Sequence, residues 1–136
     1  VNYELVDDDY VVDLLVKDDN VISVFGGGSE SGRRALGNRS ILADPRSKNM
    51  KDIINEKVKH RQWFRPFAPS IMRDEVKNWF THDVGSPYMS VALKFKDGMS
   101  EKVPAVVHND DTARFQSVKE EDNEWYYNFI KKFKQH

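Results

Sequence analysis

Val21-Ile22-Ser23-Val24-Phe25, then Gly26-Gly27-Gly28-Ser29-Glu30-Ser31-Gly32-Arg33-Arg34-Ala35-Leu36-Gly37-Asn38-Arg39, then Ser40-Ile41-Leu42-Ala43-Asp44-Pro45-Arg46, is the stretch on which the fold turns. The β-branched run predicts a buried strand, and Ser40–Ala43 predicts a second short one closed by Asp44-Pro45. Between them, three glycines tolerate φ > 0 and let backbone N–H groups converge on an anion. Residues 33–38 predict a helical turn stopped at Gly37. Arg33, Arg34, Arg39 and Arg46 follow within fourteen residues. Guanidinium is always charged and grips two oxygens at once, which suits phosphate or carboxylate. Gly27 and Gly32 have the spacing of a P-loop, but Arg33-Arg34 replace its Lys and Ser/Thr. Gly26-x-Gly28 opens a dinucleotide fingerprint that Ser31 fails to complete. Taken alone, the stretch fits either an oxyanion pocket or a surface turn with solvated arginines.

Outward from it, Asp7-Asp8-Asp9 can cap a helix continued by Tyr10–Val16 and ended by Asp18-Asp19-Asn20. Ser47 can cap a second helix whose Met50, Ile53, Ile54 and Val58 form an apolar stripe. Pro66 and Pro69 enforce extended backbone in the cation- and aromatic-rich segment 59–69. Interleaved arginines and aromatics suit RNA stacking, but Trp63, Phe64 and Phe67 are expected as core or pocket wall. Ser70–Met72, Tyr88–Phe95 and Ala113–Val118 predict strands; Glu75–Phe80 predicts a helix. Glu120–Lys134 predicts the last helix, packed through Trp125, Phe129 and Phe133. The mixture is α/β (α+β) around a mixed sheet.

The 136 residues amount to one domain, and the net charge of −1 argues against whole-molecule binding of a polyanion. From Gly28 to Pro66, however, ten Lys/Arg face four acids, while the N-terminal segment is acidic. A basic middle in a neutral chain points to a confined anion site. Having no cysteine excludes disulfides, zinc thiolates and thiol nucleophiles. No apolar run reaches membrane-span length and no signal peptide is present, so the expectation is a soluble, cytoplasmic protein with no membrane partner. A start at Val1 and a lysine-rich close lead us to expect a fragment.

His108, beside Asn109-Asp110-Asp111, is a candidate base or metal ligand, but no partner His accompanies it at ligand spacing. His60, between two cations, is a poor base. No Ser-His-Asp order and no marked carboxylate pair stands out. The residues alone therefore indicate charge neutralisation by Arg and Lys, and no reaction.

Glu30-Ser31-Gly32-Arg33-Arg34-Ala35-Leu36-Gly37-Asn38-Arg39-Ser40-Ile41-Leu42-Ala43-Asp44-Pro45-Arg46 resembles the signature E-F-G-P-R-A-L-G-N-R-S-I-L-A-D-P-R of the carbamoyltransferases of nodulation and antibiotic biosynthesis. Asn55-x-x-Val58-Lys59-His60-Arg61-x-x-Phe64-Arg65-Pro66-Phe67-Ala68-Pro69-Ser70 is similar to a second block of that family. Ser86-Pro87-Tyr88-Met89 and Pro104–Val118, with Ala113-Arg114-x-Gln116-Ser117-Val118, match a third and a fourth.

The resemblance implies a YrdC/Sua5-like mixed twisted sheet flanked by helices and incomplete at its C-terminus. Residues 1–136 would then be most of a C-terminal domain, without the metal-holding, Kae1/ASKHA-like N-terminal domain that binds the acceptor. It further implies a domain that takes carbamoyl phosphate and ATP, with Mg²⁺ on the nucleotide, and forms carbamoyl adenylate for transfer to an acceptor hydroxyl. Arg34, Lys59 and Arg65 are implied as the catalytic positions, and with Arg114 they bind carbamoyl phosphate and ATP phosphates. Arg39, Arg61 and His108 are further binding candidates; like Arg46, they suit buried ion pairs equally well. The implied partner is the N-terminal domain. Nucleic acid is not expected, and an RNA- or nucleotide-binding module without carbamoyl transfer is the alternative. Departures from the pattern are Gly28 for Arg, Ser31 for Phe, Arg33 for Pro and Asp111 for Gly; a later N-T-S-F-N block is absent.

Overall fold

The computed structural model describes residues 2–17 and 19–136. Helix α1 spans Asp8–Val16 and opens on Asp7, whose side chain accepts the Tyr10 N–H at 2.9 Å. The Asn20 carboxamide closes its far end on the carbonyls of Leu14 and Lys17. The part of the expected stop that falls on Asp18 lies outside the described residues.

Strand β1 (Val21–Ser23) pairs antiparallel with β2 (Ile41–Ala43), Val21 opposite Ala43. The first strand is shorter than its apolar run, and Phe25 lies 96% exposed beyond it. Helix α2 (Met50–Ile53) follows Asn49, which makes no side-chain cap; Ser47 contributes only its carbonyl. The helix widens at once into a π turn over Ile54–Val58, a geometry often found near functional sites.

Strand β3 (Ser70–Met72) leads through a tight turn into α3 (Val76–Trp79), and β4 covers Ala92–Lys94. The single strand expected over 113–118 is two: β5 (Thr112–Arg114) runs antiparallel to β4, and β6 (Gln116–Val118) runs parallel to β3. Phe115, fully buried between them, is the point where the chain changes partner. The strands thus form three two-stranded ladders among helices, an α/β architecture of mixed pairing. Helix α4 (Glu124–Phe133) starts at Asn123, whose side chain accepts the Tyr126 N–H.

Three apolar clusters hold these pieces. Val12, Leu15, Leu42, Val118, Tyr126 and Phe129 join α1, β2, β6 and α4. Trp125 packs its ring 5.3 Å from that of Phe129 as expected, but stays partly exposed and donates to Asp8, while Tyr126 beside it is buried. Phe80 stacks between Phe95 and Phe115 at centroid distances of 4.8 and 4.7 Å, with Val76 and Ala113 completing that cluster. Met50, Ile54 and Ala105 form the third, under which Phe67 packs. Burying each large ring or aliphatic chain contributes roughly 1.5–3 kcal/mol. The first and third clusters meet around one opening.

Candidate functional site: a cationic cleft

That opening is a cleft of about 470 Å³. Its floor is apolar, with Leu42, Ile54, Phe129 and Ile130 from the clusters above. Its rim is basic. Among the described residues Arg33, Arg34, Lys51, Lys59, Arg61 and Arg114 line it, and no aspartate or glutamate does. With low-dielectric walls and one sign of charge, such a cleft concentrates anions.

One wall is the arch over residues 30–39. The Glu30 carboxylate sits inside it, accepting the N–H groups of Leu36 at 2.9 Å and Asn38 at 3.0 Å, and Arg39 Nε at 3.1 Å. Ser40 Oγ accepts the Gly37 N–H. Gly37 has φ +126° and stands so close to Tyr126 that a Cβ would meet the ring at 2.6 Å, so only glycine fits. Gln116 ties the arch to the sheet: its Nε2 donates to the Leu36 carbonyl at 2.9 Å, and its Oε1 accepts Ser70 Oγ–H at 3.1 Å. These bonds replace the helical turn expected over 33–38 and hold Arg34 toward Arg114 on β5. Burial, then the nearby Arg34 charge, pushes the Arg114 guanidinium's pKa down.

The other wall is the π turn and the loop after it. Asn55, 1% exposed, donates through Nδ2 to the carbonyls of Trp63 and Arg65 and accepts Arg61 Nε at 2.7 Å. The Arg61 guanidinium lies 4.6 Å over the Phe67 ring, a cation–π contact. Burial and then the charge of Arg65 lower its pKa. His60, at φ +47°, makes the bend that follows Lys59.

A sequence profile of the family described as Carbamoyltransferase C-terminus matches residues 13–136. The chain belongs to that family. It is 45% identical over 121 residues to an uncharacterized protein of Methanocaldococcus jannaschii, covering 89% of this chain and 20% of the relative. It is 42% identical over 117 residues to nodulation protein NolO of Bradyrhizobium diazoefficiens, covering 84% and 21%. To nodulation protein U of Sinorhizobium fredii it is 41% identical over 107 residues, covering 79% and 19%. The chain thus spans about a fifth of the length of these curated relatives.

Within this carbamoyltransferase C-terminus, the sequence-derived candidates separate. Arg34, Lys59, Arg61 and Arg114 come together in the cleft, and none of them has a carboxylate partner among the described residues. Arg65 is exposed at the rim, outside the lining, its carbonyl held by Asn55. Arg39 is paired with Glu30 and also donates to the Gly32 carbonyl. Arg46 is bound to Asp44 through Nε and Nη2, at 2.9 and 2.6 Å; these bonds raise its pKa. His108 lies away from the cleft with Nδ1 3.0 Å from Thr112 Oγ1, whose hydroxyl donates to Asp110.

The triglycine at 26–28 does not line the cleft, and Gly26 N–H is taken by the Asn38 carbonyl. Trp63 and Phe64, expected in a core or pocket wall, are 73% and 59% exposed; Asn55 holds their loop by its backbone instead. Phe67 does line the cleft. Residue-by-residue reading passed over Asn55, Gln116, Glu30 and Lys51. The first three carry a legible signal, an amide or carboxylate inside a motif rich in arginine. Lys51, on the polar side of an amphipathic stripe, carries none.

No helix among the described residues is long and apolar enough to cross a membrane. No group of three or more His, Cys, Asp or Glu there could hold a metal ion.

Proposed function

We propose that this chain is the C-terminal unit of a longer, cytoplasmic carbamoyltransferase and binds carbamoyl phosphate and ATP in the cationic cleft. The observation that carries the reading is the convergence of Arg34, Lys59, Arg61 and Arg114 on one cleft without a carboxylate. Two phosphorylated substrates bring several oxyanions, and unpaired cations fixed in a partly apolar cavity neutralise them where water screens least. The reaction balances as carbamoyl phosphate, ATP and one water giving carbamoyl adenylate, orthophosphate and pyrophosphate. Arg34 and Arg114 would neutralise charge on one wall, Lys59 and Arg61 on the other, and Arg65 would close from the rim. Mg²⁺ would arrive on the triphosphate, since the cleft lining offers it no carboxylate. The acceptor hydroxyl would be met on the N-terminal domain of the parent chain, which takes the adenylate from here.

Calorimetric titration with carbamoyl phosphate and with Mg²⁺-ATP tests this. Arg34→Ala and Lys59→Ala should each weaken binding by about 1–3 kcal/mol, the usual worth of a hydrogen bond to a charged group. Unchanged affinity in both variants, or no saturable binding by folded wild-type protein, overturns the reading. Exposed Trp63 and Phe64 beside Arg61 and Arg65 favour a second reading, nucleic-acid or nucleotide binding without carbamoyl transfer. It requires RNA affinity that falls steeply with salt.

A further inference from the structure

We propose that Asn55 is the positioning residue of this cleft: its buried carboxamide sets where Lys59 and Arg61 stand, and through them how tightly the cleft holds a phosphate oxyanion. The inference rests on the anion-binding reading above and concerns a side chain that touches no ligand.

Apart from the Arg61–Phe67 stacking, the loop from Lys59 to Arg65 has few other holds. Trp63 and Phe64 point into solvent, so no apolar burial anchors it. Its backbone links to the preceding π turn are Lys59 N–H to the Ile54 carbonyl and Arg61 N–H to the Asn55 carbonyl. His60 is in the left-handed region, which is unfavourable for a residue with a Cβ, so the bend persists only where its surroundings enforce it. The Asn55 side chain supplies that enforcement at three residues: the carbonyls of Trp63 and Arg65 and the guanidinium of Arg61. Two carbonyls facing one end and an N–H facing the other also fix the amide's orientation.

Asparagine is moreover the side chain that holds Arg61 without neutralising it. Its neutral oxygen occupies Arg61 Nε and leaves the terminal Nη donors and the whole positive charge for a ligand. Aspartate has the same size, but would pair with Arg61 and set charged oxygens against two carbonyls.

The test is calorimetric titration of inorganic pyrophosphate into the wild-type protein, Asn55→Ala, Asn55→Asp, Arg61→Ala and the double variant Asn55→Ala/Arg61→Ala, with folding checked by circular dichroism. Asn55→Ala should weaken binding roughly tenfold, and Asn55→Asp at least as much despite its equal volume. The double variant should bind within about twofold of the weaker single variant, because both changes disable the same cation. A general loss of packing predicts additive losses instead. Affinity within twofold of wild type in Asn55→Ala, or in Asn55→Asp should Asn55→Ala not fold, overturns the inference, as do fully additive losses. Wild-type protein that fails to bind pyrophosphate would overturn the anion-site reading as well, so the two failures are distinguishable.

Discussion

Two sets of cations lie within one signature stretch and its neighbours, and they have opposite surroundings. Arg39 and Arg46 each have a mostly buried carboxylate, Glu30 and Asp44, whose side chains are 9% and 10% exposed. Arg34, Lys59, Arg61 and Arg114 have none among the described residues; Arg61 is held by the neutral Asn55 amide, and Arg61 and Arg114 each feel the charge of a neighbouring arginine. A charge paired with a carboxylate has spent its field on the fold; a charge held by an amide keeps it. Arg39 helps to build the arch, Arg46 ties the turn after β2 to the end of the chain beyond α4, and the unpaired set stands in the cleft that the arch frames.

The largest break in this comparison should come from Glu30→Ala. It removes a carboxylate that accepts two backbone N–H groups and Arg39, leaving three donors inside the arch without their partner. We expect a loss of about 3 kcal/mol in urea unfolding, in the range for breaking a buried, hydrogen-bonded charge. Affinity for carbamoyl phosphate should fall with it, because the arch carries Arg34. A stability loss below about 1 kcal/mol would mean that the arch is held by Gln116 and Ser40 instead.

Arg46→Ala should have a smaller effect of a different kind. It strands the buried Asp44 carboxylate and removes a guanidinium lying 5.2 Å over Phe133. The expected cost is about 1–2 kcal/mol of stability, with ligand affinity within twofold of wild type. Affinity collapse without destabilisation would move Arg46 into the binding set and dissolve the distinction.

The distinction was only partly legible in the sequence. Short-range features read through well. β1, β2 and β3 stand within the strands expected over 21–25, 40–43 and 70–72, Asp7 caps α1, and α2 with the π turn buries Met50 and Ile54 of the expected apolar stripe while leaving Val58 exposed. Long-range pairing did not read through. Whether Arg39 meets a carboxylate depends on a loop folding Glu30 back across nine residues, and nothing in local pattern separates Arg39 from Arg34. The 113–118 run reads as one strand because no glycine or proline turn residue interrupts it; its division at Phe115 comes from its two halves pairing with different strands. Trp63 and Phe64 depart from the expected burial for a related reason. Ring hydrophobicity favours burial on average, but an amide grips this loop by its backbone and leaves the rings outside.

The smallest expected effect, and a pH reference for what a paired cation looks like, is at Glu75. Its carboxylate accepts Lys134 Nζ at 2.7 Å and Asn78 Nδ2 at 3.0 Å, joining the turn before α3 to the end of α4. The Lys134 bond first, and the Asn78 bond second, hold its pKa below the ordinary 4.5. A carboxyl whose folded pKa lies below its unfolded one contributes stability above the unfolded value and loses it as pH falls through the folded value. Glu75→Gln should therefore destabilise at neutral pH by less than about 1 kcal/mol, as partly exposed ion pairs do. The gap from wild type should close as pH drops below about 4.5. Arg34→Ala should show no such closure, because Arg34 has no carboxylate partner to protonate among the described residues. Unfolding curves of both variants at neutral and acid pH decide the matter. An Arg34→Ala gap that narrowed in acid would reveal a carboxylate partner and place Arg34 with the paired set.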